Sequence, residues 1–366
     1  MILVFTVVLV ALAFEYINGF HDTANSIATI VSTKVLTPRQ AVVLAAITNL
    51  LGAMLGTAVA KTISSGLIDA QLVSMTSDIL ICTLLGAITW NLLTWWFGLP
   101  SSSSHALIGG LCGAALAASD NHWQVIVWSQ PNPHHWWLGK GLLWKVIVPM
   151  VASPIAGFIL GFVVMALLYL ALHNKAPQRV NRFFGIAQMF SAGAMGLMHG
   201  TNDAQKTMGI LALTLMGATA AGHFDNLPSF LSFLRTPAPV PGKELEIAFW
   251  IKAVCALTMA AGTAVGGWRI IRTLGHKMVK LHPINGFAAE ASSASVIALA
   301  TWFGIPVSTT HNISAAIMGV GSARRFSAIK WTVVERMIWA WVLTIPVSGL
   351  IAYSLVRLLG AFGWRL

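Results

Sequence analysis

Four carboxylates lie in stretches of this sequence that are otherwise strongly apolar: Glu15, Asp22, Asp203 and Glu290. An acid placed inside a membrane segment costs roughly 2.5–3.5 kcal/mol even by the mildest scale, so each needs a reason. Asp22 and Asp203 each stand three residues after a glycine, Gly19 and Gly200, that can break a helix. Amides and hydroxyls gather beside them: Thr23, Asn25 and Ser26 by the first, and Asn202, Gln205, Lys206 and Thr207 by the second. Such oxygen-rich sets suit hard cations such as sodium and can also orient an oxyanion. The plainer reading is a buried acid that caps a helix or pairs with a neighbour. For Thr23 and Gln205 it is polar glue between helices, and Glu15 or Glu290 could bind backbone or a serine of its own half.

A second constellation is a proline, a run of hydroxyls and a histidine. Pro100 precedes Ser101, Ser102, Ser103, Ser104 and His105; Pro306 precedes Val307, Ser308, Thr309, Thr310 and His311. Proline ends or kinks a helix, and serine or threonine starts the next. The uncovered amides of a helix start form an anion site, and a tetrahedral oxyanion is its natural guest.

Charge then links the two motifs. A phosphate-like anion beside Asp22 and Asp203 would carry the site to about −3 or −4, against +1 from Lys206 and roughly half a charge from each helix start. In a low-dielectric cavity the remainder demands bound cations or protons. Anion and cation are therefore expected to bind together. His21, His105, His199 and His311 adjoin the motifs, where they could relay protons or bind the anion, or simply be satisfied structural imidazoles. His122, His134 and His135, with Trp123, Trp128, Trp136 and Trp137, read as an external interfacial aromatic loop, with metal capture as the alternative.

The elements that must position these residues are membrane helices. Of 366 residues, 57% are hydrophobic and 9% are Asp, Glu, Lys or Arg, with mean hydropathy +0.77. A soluble domain carries about 25% charged residues, so this chain must face lipid. The net charge of +11 sits in short connectors (Lys175, Arg179, Arg182; Arg269, Arg272, Lys277, Lys280; Arg324, Arg325, Lys330), the orientation bias of a cytoplasmic face rather than a nucleic-acid surface. Cys82, Cys112 and Cys255 show neither a disulfide framework nor zinc spacing. Residues 1–14 are expected to be a retained first helix. We count ten helical segments, or twelve if some are broken.

The sequence repeats itself. Trp96 to His105 returns as Trp302 to His311, and Gly56-Thr57-Ala58-Val59 returns as Gly262-Thr263-Ala264-Val265, both offset by 206. Gly19 to Ser26 matches Gly200 to Thr207 with an offset of 181, which places 25 extra residues around the Pro-rich stretch of Pro228, Pro237, Pro239 and Pro241. The connector 61–78 carries Lys61 against Asp69 and Asp78, whereas its partner 267–284 carries only bases. The positive-inside rule then inverts one half relative to the other, with the N-terminus outside. The expected organisation is a first transmembrane repeat over 1–172, a short cytoplasmic joint over 173–182, and a second repeat over 183–366 with an external insertion near 218–245. The fold class is all-α polytopic, two inverted repeats with broken helices and re-entrant-type hairpins, about 10–12 transmembrane segments.

These motifs resemble the inorganic phosphate transporter (PiT) family through nearly the whole chain. Gly200-Thr201-Asn202-Asp203 keeps that family's signature, whereas the first half reads Gly19-Phe20-His21-Asp22, with His21 where Asn is usual. Asn18 to Asn25 and His199 to Lys206 look like the bacterial proton-coupled, low-affinity branch, which moves phosphate or neutral metal-phosphate complexes. The resemblance implies a phosphate symporter of the inner cell membrane. It takes the anion on Asn25, Ser101, Ser102, Ser103, Ser104, Asn202, Lys206, Ser308, Thr309 and Thr310. Asp22, Asp203, His21, Glu15 and Glu290 would serve cation coupling, and His105 and His311 a proton relay. His21 favours a proton over sodium as the coupling ion. No bound cofactor or resident metal is expected, a divalent metal could travel with phosphate, and a homodimer is compatible. A sulfate carrier, a passive anion channel and an intramembrane Ser/His hydrolase are the competing readings, although the sequence holds no Gly-x-Ser-x-Gly elbow.

Overall fold

The computed structural model describes residues 1–65, 67–69, 71–131, 139–237 and 246–362. Among these, twelve α-helices follow one another: α1 (Ile2–Ser32), α2 (Pro38–Ala53), α3 (Ala58–Ser65), α4 (Ser77–Phe97), α5 (Ser103–Ala118), α6 (Val148–Leu172), α7 (Pro177–Ala220), α8 (Phe249–Val265), α9 (Trp268–Arg272), α10 (Pro283–Trp302), α11 (Thr309–Arg324) and α12 (Trp331–Ala361). Proline opens α2, α7 and α10, where its missing N–H costs nothing. Four helices are long and apolar enough to span a bilayer alone, and α8 with the segment ending at Lys277 makes a fifth span bent by 58°. The chain is an all-helical, multi-pass membrane protein.

α6 ends at Leu172 and α7 starts at Pro177, so the halves are linked by residues 173–176, and 177–182 are already helical. Of the Pro-rich stretch, 238–245 lies outside the described residues, as do His134, His135, Trp136 and Trp137.

The helices expected to break at Gly19 and Gly200 do not break. α1 and α7 run unbroken through both motifs, over 31 and 44 residues. The glycines serve close packing instead. A Cβ on Gly19 would fall 2.4 Å from the Met259 carbonyl oxygen, and one on Gly200 would fall 2.3 Å from that of Asn49. Each glycine thus lets a helix of the other half approach to backbone contact, α8 on α1 and α2 on α7. The breaks lie between α2 and α3, where Gly56 has φ +91°, and between α8 and α9, where Gly266 has φ +78°.

Exchange between halves recurs. α5 packs on α12 and α11 on α6, so each half's hairpin helix rests on the last span of the other. The equivalent helices α1 and α7 run antiparallel. Thr33, at the end of α1, donates to Gln188 near the start of α7 at 2.8 Å. Eighteen residues earlier on α1, Glu15 accepts from Thr207, far along α7. Two matched helices thus pair in opposite directions, which is consistent with inverted halves.

Candidate functional site

Inward faces of α1 and α7 carry the polar residues. On α1 these are Glu15, Asn18, Asp22, Asn25 and Thr29, spaced by three or four, so they form one stripe along the helix. Gln188, Ser191, His199, Asn202, Asp203 and Lys206 line α7, and every one of these side chains is buried. Because the helices are antiparallel, the stripes meet at the middle. One ligand atom from each of Asp22, His199 and Asp203 lies within 4.8 Å of the others.

Two hairpins close on this centre. α4 ends at Gly98 with φ +65° and α10 shortly before Gly304 with φ +63°, and a proline then turns each chain into the next helix. Ser102 and Ser308 are the N-caps of α5 and α11: their hydroxyls accept from the backbone N–H of His105 at 3.2 Å and of His311 at 3.1 Å. The start of α11 meets both acids, Thr309 donating to Asp203 at 3.3 Å and Thr310 to Asp22 at 3.4 Å. Asn25 donates to Thr309 and Thr310 at 3.1 and 2.9 Å. Lys206 bonds Asp203 at 2.5 Å and donates to Ser104. His199 Nε2 lies 3.1 Å from Asp203, and His21 Nδ1 lies 2.6 Å from Asp22.

The remaining sequence-predicted residues take distinct places. Ser101 donates to Thr94, which also meets His21, so it belongs to the periphery of Asp22. Ser103 is buried with its hydroxyl unpartnered among the described residues, as are the side-chain oxygens of Asn25 and Asn202. Asn202 donates to Thr301. Glu15 and Glu290 stand apart from the centre, each about 10 Å from it along α1, judged by the seven-residue spacing to Glu15 and to Thr29. Thr207 holds Glu15; Thr29, Ser191 and Gln188 hold Glu290. Thr207 reaches Glu15 from the other half, whereas Glu290 takes Thr29 from the other half and Ser191 and Gln188 from its own.

His105 and His311 meet edge to face, ring centres 4.9 Å apart. No ring nitrogen of either has a hydrogen-bond partner among the described residues, so neither is tied to an acid or to a serine of its hairpin. A Ser-His nucleophile pair is therefore absent from both hairpins as described. Gln205 caps the start of α3, accepting from Val59 N at 2.7 Å, and so acts as the glue considered for it.

Several site residues had no signal in the sequence. Asn49 meets His199 at 3.2 Å and donates to Thr263. Trp341 stacks on His311 and donates to the Pro100 carbonyl, tying the two hairpins together. Thr94, Thr301, Gln188 and Ser191 complete the list. Each is a lone polar or aromatic residue in an apolar span, and repeat matching could not find them: Asn49 aligns with Cys255 and Thr94 with Ala300 at the 206 offset.

The centre is thus a buried meeting of acids, amides, a lysine and two helix starts, contributed by both halves. Residues 18–352 match the family described as the phosphate transporter family. This chain belongs to that family. The family's members are transporters, and the hydrolase reading falls with this membership. The chain is 40% identical over 362 residues, 98% of each chain, to a probable low-affinity inorganic phosphate transporter of Bacillus subtilis (strain 168). It is 44% identical over 344 residues, 94% of this chain and 92% of the other, to a protein of the same description from Rhizobium meliloti (strain 1021). Its fold is similar to a solved structure described as the sodium-dependent phosphate transporter, with TM-score 0.81, 22% identity and coverage of 99% and 100% of the two chains.

Proposed function

We propose that the protein imports inorganic phosphate across the inner cell membrane together with a cation, the proton in preference to sodium. The observation that carries this reading is the joint burial of Asp22 and Asp203 beside the hydroxyls and helix start of α11. An anion placed against those hydroxyls adjoins two carboxylates, and only counter-charge makes such a group of negative charges tolerable at low dielectric. Lys206 supplies part of that charge at Asp203, and His199 lies 3.1 Å from the same carboxylate. Asp22 is met by His21 at 2.6 Å and by the Thr310 hydroxyl.

Transport then follows from inversion. Exchanging the packing of the two halves about a fixed centre opens it first to one side and then to the other. Glu15 and Glu290 stand on opposite sides of the centre along α1, so each flanks one of the two routes. A divalent metal carried with phosphate would meet Asp22, His199 and Asp203, whose donor atoms are grouped closely enough to hold it. A sulfate carrier would use the same hairpins.

The test is uptake of labelled phosphate into liposomes holding the purified protein, under proton and sodium gradients imposed separately. Uphill uptake driven by the proton gradient supports the reading. Downhill flux alone, indifferent to either gradient, would make it a channel, and full competition by sulfate would reassign the anion.

A further inference from the structure

We infer that Lys206 is a tethered counter-cation, holding in the second half the place that a mobile coupling cation takes beside Asp22 in the first. This rests on the symport reading and goes beyond it by fixing how many mobile cations the site can take. The argument begins with the repeat. Asp22 and Asp203 are equivalent at the 181 offset, and three residues later so are Asn25 and Lys206. Their hydroxyl partners are equivalent too, since Thr310 and Ser104 differ by 206.

The structure keeps the geometry and changes the chemistry. Asn25 donates to Thr310 on the hairpin of the other half, and Lys206 donates to Ser104 on the hairpin of the other half. Asn25 is neutral, and its side-chain oxygen meets no donor among the described residues. Lys206 brings a full positive charge and bonds its own acid at 2.5 Å. Asp22 is held by Thr310 at 3.4 Å and His21 at 2.6 Å, without a lysine or arginine among its contacts with the described residues. All four residues are almost entirely buried, at no more than 2% exposure. A carboxylate without a lysine or arginine partner and an uncommitted amide oxygen are hard-cation ligands. The first half therefore retains a cation site, and in the second the ammonium fills the equivalent space with a charge that cannot leave.

Lys206→Asn makes the second half resemble the first, and should create a second site for a mobile cation. Lys206→Met removes the charge and adds no oxygen. In liposomes, uptake of labelled inorganic phosphate is measured for wild type, both variants and Lys206→Gln across a range of sodium and, separately, proton concentrations. Lys206→Gln, a longer amide, guards against one variant failing to fold. The amide variants should rise in apparent cation order by one. Their half-maximal uptake should need at least about ten-fold more cation, as expected when a bound ion must replace a tethered one. Lys206→Met should stay low at every cation concentration. If amide and Met variants behave alike, whether inactive throughout or with the wild-type cation order, Lys206 is an anion ligand or a helix tie and the inference falls. If wild type itself shows no cation-stimulated uptake, the symport reading falls instead.

Discussion

His105 and His311, 206 positions apart in sequence, meet edge to face with ring centres 4.9 Å apart. Each closes the proline-hydroxyl motif of its own hairpin. The two hairpins therefore meet each other, and Trp341 fastens both by stacking on His311 and bonding the Pro100 carbonyl. Trp341→Phe keeps most of the stacking and loses the hydrogen bond. It should lower thermal stability by about 1 kcal/mol, and it should slow phosphate uptake more than it weakens phosphate binding. Equal loss in both would place Trp341 outside any moving contact.

Asp22→Asn and Asp203→Asn should each abolish gradient-driven phosphate uptake while the protein remains folded. The Asp203 variant carries a second consequence, because it leaves Lys206 buried without its acid. Stranding a buried charge costs about 3–5 kcal/mol, so Asp203→Asn should melt well below Asp22→Asn. Melting curves of the purified variants read this directly, and identical curves would contradict the Lys206–Asp203 pair.

Ser103 has a buried hydroxyl without a partner among the described residues, whereas Thr309 bonds both Asn25 and Asp203. Ser103→Ala should therefore leave stability unchanged within about 0.5 kcal/mol and raise the KM for phosphate. Combined with Thr309→Ala, the loss in affinity should exceed that of either single change. Wild-type affinity in the double variant would remove the hairpins from the anion site.

Gly19 and Gly200 face backbone carbonyls of other helices at distances no Cβ tolerates, while a Cβ on Gly217 would meet nothing within 4 Å. Gly19→Ala and Gly200→Ala should destabilise by roughly 1–3 kcal/mol through overpacking. Gly217→Ala, in an open helical position, should be neutral or stabilising by up to about 1 kcal/mol. Thermal melts in detergent distinguish these, and a tolerated alanine at Gly200 would show that α2 and α7 do not approach as described.

The sequence disclosed the halves, the two acids and the hairpins because those features are written twice. Asp22 and Asp203, or Ser102 and Ser308, are legible as pairs. What lacked a copy stayed hidden. Asn49, Thr94 and Trp341 reach the site only through packing between halves, and no local pattern marks them. Gly19 and Gly200 pack against neighbouring helices rather than break their own; a glycine near an acid fits a break and a close crossing equally well until the neighbouring helix is seen. The antiparallel pairing of α1 with α7 follows from Thr33–Gln188 and Glu15–Thr207, contacts between residues that are not repeat partners.

Linked binding tests the account most directly. The dissociation constant of inorganic phosphate for the purified protein is measured at increasing coupling-cation concentration, for wild type and for Asp22→Asn. Phosphate should bind more tightly as the cation rises in wild type, by the same factor as phosphate tightens the cation, and that dependence should vanish in Asp22→Asn. Phosphate affinity that ignores the cation in wild type, or a dependence that survives loss of the Asp22 carboxylate, would contradict the claim that the two ions share this site.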